Sequence, residues 1–258
     1  MEFGELLREI RRFFSMTPLR DLLEKYRHLG LREADIFLVS YQNSGSTWLK
    51  NLIYEMVRKK KFSKESSYRE FPFVGKHKDS IPLINSNGIR KRIIKSHSPY
   101  RKEYSNKKII YLVRDPRDVF VSKFHKDSKR SKKILNKDKE LSNFINGKMV
   151  SEGRWDFHVN SWLNAKKQDK VNMIIIRYKN LKMGPINILK RIANFLEINV
   201  TEKDIDKAIK DNEFNIMKKK NKDVRKGRVG SWREELTKNQ SNNINKKFLK
   251  VMKKLNIS

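Results

Sequence analysis

The octet Tyr41-Gln42-Asn43-Ser44-Gly45-Ser46-Thr47-Trp48 follows the apolar run Ile36-Phe37-Leu38-Val39 and leads into WLKNLIYEMV, which has helical spacing. A strand, a loop of small residues and a helix in that order point successive N–H groups at an anion. The nucleoside-triphosphate form of such a loop, G-x-x-x-x-G-K-[ST], is absent: its one glycine is Gly45, and the nearest lysine, Lys50, is already on the helix. Three further stretches carry matching chemistry. Lys95-Ser96-His97 ends the run RIIKSH, RDPRDVFVS holds Arg114 and Ser122, and RKGRVGSW opens with Arg225, Lys226 and Gly227. Guanidinium, ammonium and hydroxyl groups suit a phosphate or sulfate, and a histidine suits a proton acceptor. Each stretch alone is weak. A histidine at a strand end is usually just hydrogen-bonded, and Arg-Asp-Pro is ordinarily a helix start.

These residues need a frame that gathers them. Amphipathic spacing predicts helices over 3–14 and 18–29, with Pro18 as the first residue of the second. Buried strands are expected at 35–40, 92–97, 107–114 and 172–178, and helices at 47–58, from Pro116, at 151–168 and over PINILKRIANFLE. Residues 61–91 read as an irregular surface region, and 127–140 as Lys-rich and weakly patterned. Thr237 and Gln240 form a capping box before a last helix. Apolar strands alternating with amphipathic helices predict an α/β fold: a P-loop-like core with a central parallel sheet flanked by helices on both faces, in one domain over 1–258. The four stretches then fall at the C-terminal ends of strands, where open α/β sheets bind ligands.

Composition narrows the function classes. With 61 Lys and Arg against 29 Asp and Glu, the 258-residue chain carries a formal charge of +32, which favours polyanions. The lysine runs read as solvated faces, and no aromatic-interleaved motif supports a specific nucleic-acid partner. The absence of cysteine excludes disulfides and thiolate metal sites, and the five histidines lack paired-ligand spacing, so no metal is expected. The first residues, MEFGELLREIRRFF, do not read as a signal peptide, and no stretch reaches membrane-spanning length. A cytoplasmic protein without a membrane partner is the expectation.

Taken together and in order, the four stretches resemble the cytosolic sulfotransferases, which use 3′-phosphoadenosine 5′-phosphosulfate (PAPS) and release 3′,5′-adenosine diphosphate (PAP). The family's Y-P-K-S-G-T-T-W is similar to Tyr41–Trp48, its K-T-H to Lys95-Ser96-His97, its R-x7-S to Arg114 through Ser122, and its R-K-G-x-x-G-x-W to Arg225 through Trp232. The likeness runs from about 18 to 237. It implies transfer of a sulfuryl group to a hydroxyl or amine of a small-molecule acceptor such as a phenol, sterol or alkaloid-like natural product, without a metal. By the same resemblance, Asn43, Ser44, Gly45, Ser46 and Thr47 hold the 5′-phosphosulfate. Arg114, Ser122, Arg225, Lys226 and Gly227 hold the 3′-phosphate. Trp48, Phe214 and Tyr178 frame the adenine, and His97 is the general base.

The chain departs from the family pattern where chemistry is concentrated. Asn43 stands at the loop lysine and Gln42 at the loop proline. Three arrangements answer the lost cation: Lys95 carries the leaving-group charge, Lys50 does so from a helix position expected to face away from the loop, or the enzyme is impaired. An impaired member or a basic polyanion-binding protein is therefore the alternative reading. The dimer signature after the last motif keeps Arg233 and Thr237 but has Lys238 and Asn242 in place of Val and Glu, which implies a monomer or weak homodimer. Phe71, Phe73, Val74, Phe124, His125 and Phe144 are candidates for an aromatic-tolerant acceptor pocket, with core packing the equal alternative for each.

Overall fold

The computed structural model describes residues 18–131, 134–213 and 227–257. At its centre lie four parallel strands: β1 (Ile36–Ser40), β4 (Ile93–Ser96), β5 (Lys108–Val113) and β6 (Asn172–Arg177), in the spatial order β4-β1-β5-β6. Parallel strands with helical crossovers are covered on both faces, which is why their sequences are near-continuous apolar runs. Side chains nonetheless alternate strictly. Phe37, Val39, Ile109, Tyr111 and Val113 face a layer containing Trp155, Trp162 and Phe248. Ile36, Leu38, Ile110, Leu112 and Ile176 face the other layer, with Leu49, Leu52, Ile53, Leu189 and Ile192.

The expected strands and the helices around the site match the structure to within a few residues. The helices beside the sheet are α1 (Pro18–His28), α2 (Ser46–Arg58), α4 (Pro116–Ser131), α6 (Trp155–Lys167), α8 (Pro185–Leu196) and α11 (Lys238–Lys254). The last opens on the capping box of Thr237 and Gln240. The helix expected at 3–14 lies outside the described residues.

Two regions are more ordered than their patterning suggests. Within 61–91 lie a short helix, α3 (Lys64–Arg69), and a two-stranded hairpin, β2 (Ile84–Ser86) with β3 (Ile89–Lys91). Asn87 and Gly88 form its turn with φ of 53° and 78°, the left-handed pair a two-residue hairpin demands. In the 127–140 region α4 runs on to Ser131, and α5 (Lys137–Ile145) follows. Two helices were not anticipated: α7 (Tyr178–Met183), entered straight from β6, and α9 (Glu202–Asp211), which opens on a capping box of Thr201 and Asp204. The four-residue α10 (Trp232–Glu235) precedes α11.

One buried ion pair sets the strands that carry the site. The Arg92 guanidinium, at the start of β4, donates to both carboxylate oxygens of Asp35, at the start of β1, at 2.8 and 2.6 Å. Both side chains are 1% exposed, and Arg92 also donates to the carbonyls of His77 and Gly30. A buried charge satisfied on every arm is tolerated, whereas one stripped of its partner is not. The pair holds the edge strand β4 in register on β1, with Lys95 opposite Leu38 and Ser96 opposite Val39.

Candidate active site

The loop after β1 takes two left-handed residues before the helix begins. Asn43 has φ 60°, and Gly45, the residue capping α2, has φ 96°. Asparagine is one of the few residues besides glycine that enters this region readily. Where the resemblance calls for lysine, this chain has therefore exchanged a charge for a local backbone preference. Gly45 is needed for space as well, because a Cβ there would lie 2.5 and 2.7 Å from atoms of the Tyr178 ring. The Ser44 hydroxyl oxygen in this loop is buried with no hydrogen-bond partner. A buried hydroxyl left over beside a helix N-terminus is what an anion-holding loop presents before its ligand arrives.

The loop is clamped from two sides. Arg114, just past β5, donates to the Asn43 carbonyl at 3.2 Å and to the Arg228 carbonyl at 3.1 Å, and its guanidinium lies 4.5 Å from the centre of the Tyr178 ring. Its Nε is buried without a hydrogen bond, 4.0 Å from the Asp118 carboxylate, which leaves a second donor for a ligand. Tyr178 in turn donates to the Gly227 carbonyl at 3.3 Å and meets Trp48 edge-on at 6.0 Å. Trp48 is fixed through its indole N–H, which donates to the Asn212 carbonyl at 3.2 Å, and the Lys182 ammonium lies 4.9 Å from its ring centre. Arg114, Asn43, Tyr178, Trp48 and Gly227 thus form one contact group. Ser122 lies half-buried on α4. Phe214, Arg225 and Lys226 lie outside the described residues.

Patterning did not point to Asp118, which organises the last stretch. Its carboxylate is buried and accepts from the Gly230 N–H at 2.8 Å, and from the Ser231 hydroxyl and Trp232 N–H at 3.1 Å each. One carboxylate so ties the start of α4 to the segment that follows Gly227. Its signal was the Asp of RDPRD, one turn from Arg114, but no sequence cue names partners that far along the chain.

At the edge of the sheet, Lys95 and His97 reach the same corner. The Lys95 ammonium is 3.5 Å from the Thr47 hydroxyl and 5.7 Å from the centre of the Phe73 ring. Burial pushes its pKa down to about 8, helped by the nearby Lys126. The Nδ1 of His97 is 2.6 Å from the Ser40 carbonyl oxygen. A carbonyl only accepts, so Nδ1 carries the proton and Nε2 keeps its lone pair. Burial, and then the Lys95 ammonium, holds this imidazole well below its usual range, so it stays neutral at neutral pH. The His97 carbonyl accepts from Nε2 of His158, whose Nδ1 accepts from the Tyr111 hydroxyl, so a second buried imidazole props the first.

His97 opens onto a cavity of about 350 Å³ that Phe73 also lines. Of the other pocket candidates, Phe71, Val74 and Phe144 are wholly core, and His125 faces the Glu235 carboxylate at 2.8 Å. Phe124 packs on Phe120 in the core layer. Lys50 is buried rather than solvated. Its ammonium sits 4.4 Å from the centre of the Phe62 ring and 5.7 Å from that of Phe71, and burial lowers its pKa to about 7.

Known proteins resemble this chain in sequence and fold. The amine sulfotransferase of rabbit (Oryctolagus cuniculus) is 26% identical, covering 90% of this chain and 85% of its own. Sulfotransferase 2A1 of mouse (Mus musculus) is 28% identical, covering 93% and 92%. Among solved structures, mouse sulfotransferase SULT7A1 complexed with PAP superimposes with a TM-score of 0.68 at 27% identity, over 90% of this chain and 89% of that one. The model of the sulfotransferase domain family matches residues 33–256. The chain belongs to the sulfotransferase family and is an enzyme of that class.

Proposed function

We propose that the protein moves the sulfuryl group of PAPS to a hydroxyl or amine of a small-molecule acceptor, with His97 as general base and no metal. The observation that carries this reading is the orientation of His97. Its Nδ1–H is committed to the Ser40 carbonyl, so the unprotonated Nε2 is the nitrogen left for an acceptor in the adjoining cavity. The rabbit relative is an amine sulfotransferase and the mouse neighbour was solved with PAP, which supports both the acceptor chemistry and the nucleotide.

PAPS supplies, when bound, a sulfuryl group already joined to a good leaving group. The Ser44 hydroxyl and the Arg114 Nε, both buried without a hydrogen bond, fit a ligand with two separate anionic ends. Backbone N–H groups from Ser44 to Thr47 and the Thr47 hydroxyl hold the 5′ end, while Arg114, Ser122 and Gly227, with Arg225 and Lys226, hold the 3′-phosphate. Trp48 and Tyr178, with Phe214, frame the base. Lys95, beside Thr47, places its positive charge where negative charge grows on the departing oxygen. His97 Nε2 would take the acceptor's proton as the acceptor oxygen or nitrogen bonds to sulfur and the sulfur–oxygen bond to the nucleotide breaks, releasing PAP. The protein's part is otherwise positioning, as in phosphoryl transfer.

A polyanion-binding role has less behind it, because three carboxylates line the cavity beside His97. Calorimetric titration with PAP and with AMP tests the reading. PAP should bind at least about tenfold more tightly, as a charged hydrogen bond to the 3′-phosphate requires. Equal affinities would defeat the assignment.

A further inference from the structure

The chain is strongly basic, yet the cavity beside His97 is not. Asp21, Glu24 and Glu152 line it against Arg27 and Arg101, three carboxylates to two guanidiniums. Two of the three are neutralised within the protein. Asp21 pairs with Arg101 at 2.8 Å and with Lys25 at 3.2 Å, and Glu24 pairs with Arg27 at 2.6 Å. Glu152 is different. It accepts from the Gln42 side-chain amide at 2.6 Å, and among the described residues no ion pair holds it.

The position of Glu152 is set by the same strand that sets His97. Ser40, at the end of β1, orients the imidazole, and Gln42, two residues on, holds the carboxylate. Tyr41 between them donates to the carbonyl of Gly153, the neighbour of Glu152, at 2.7 Å. Gln42 stands where the family loop has proline, which could make no such contact. Burial raises the pKa of this carboxylate, and the hydrogen bonds from Gln42, Ser151 and the backbone and the charge of Arg27 offset that only in part, so an uncompensated desolvation cost remains. A cationic ligand removes that cost. Phe73, Tyr100 and Phe157 add aromatic faces to the same cavity, which suit both a flat apolar body and a positive charge.

We propose that Glu152 is a specificity-determining residue, seating the ammonium group of an acceptor that also carries a hydroxyl, so that the hydroxyl meets His97. The acceptor class is a phenol or aryl alcohol bearing a protonated amine. The protonated amine has no lone pair to offer sulfur, so it serves as the anchor and the hydroxyl oxygen is the nucleophile. This inference rests on the proposed sulfuryl transfer at His97.

The test compares tyramine with para-ethylphenol, which has the same shape without the amine, by calorimetric titration into the complex of the protein with PAP. The wild type should bind tyramine at least about tenfold more tightly, the scale of a charge-assisted contact. Glu152→Gln should bring the two within about threefold of each other while leaving PAP affinity unchanged. If the Gln variant does not bind PAP, Glu152→Ala, which buries no new polar group, serves the same comparison. The inference is overturned if tyramine binds no more tightly than para-ethylphenol, including the case where neither binds, or if the preference survives both substitutions. Failure of the wild type to bind PAP is a separate result and strikes the cofactor reading instead.

Discussion

The Ser40 carbonyl oxygen lies 2.6 Å from Nδ1 of His97, joining the end of β1 to the end of its parallel neighbour β4. This contact gives a strand-end histidine a defined tautomer, and its consequence for the pH dependence of the proposed transfer can be worked out. His97 must be neutral to act, and its pKa is depressed well below 6.5. Lys95 must be charged, and its pKa is lowered to about 8. The kcat/KM for PAPS, which reports the free enzyme, should therefore stay flat as pH falls through 6.5 and should decline as pH rises past about 8. An acid limb centred in the ordinary histidine range would show that His97 is not held as described.

The lost loop lysine can be tested with two substitutions. If Lys95 alone carries the leaving-group charge, Lys95→Ala should cost the wild type far more turnover than it costs an Asn43→Lys background. The gain from Asn43→Lys by itself should be small, because lysine in the left-handed region costs about 1–2 kcal/mol that asparagine largely avoids. Equal losses in the two backgrounds would mean that Lys95 does not stand in for the missing charge.

Two glycines with similar backbones separate space from conformation. Gly45 has φ 96° and would drive a Cβ into the Tyr178 ring, whereas Gly88 has φ 78° with nothing within 4 Å. Alanine at either should cost about 1 kcal/mol of stability through the backbone. Only Gly45→Ala should also weaken PAP binding, by an expected tenfold or more, on the order of 1.4 kcal/mol. Similar PAP affinities in the two variants would argue against contact between the loop and Tyr178.

Asp118 holds the segment after Gly227 by three hydrogen bonds. Asp118→Asn removes the charge and should destabilise the fold by roughly 1.5–3 kcal/mol, readable by denaturant titration. It should also weaken PAP more than AMP if the segment it anchors serves the 3′-phosphate as proposed. Equal weakening of both nucleotides would place its role elsewhere.

The strands and the loop after β1 were legible because both rest on local signals: unbroken apolar runs for strands buried on two faces, and close spacing for the loop. The hairpin at 84–91 was not read, although Asn87-Gly88 is a hairpin signal, because its strands are only three residues long and carry little alternation. What could not be read is long-range. Glu152 meets Gln42 across 110 positions, and Asp118 meets Gly230 across 112. Lys50 was expected to face away from the loop; that its ammonium lies against the rings of Phe62 and Phe71 is a burial no local pattern announces. The charge of +32 gave no hint of a cavity with more carboxylates than guanidiniums, because net charge averages over faces that a fold keeps apart.

The most direct test of the central claim is a single-turnover reaction of the purified protein with PAPS and excess acceptor, tyramine and para-ethylphenol in turn, followed by mass spectrometry. The expected result is an acceptor heavier by one SO3 unit, formed in equal amount to PAP, and lost in His97→Ala although that variant still binds PAP. PAP release without a sulfated acceptor, or undiminished sulfation by His97→Ala, would contradict it.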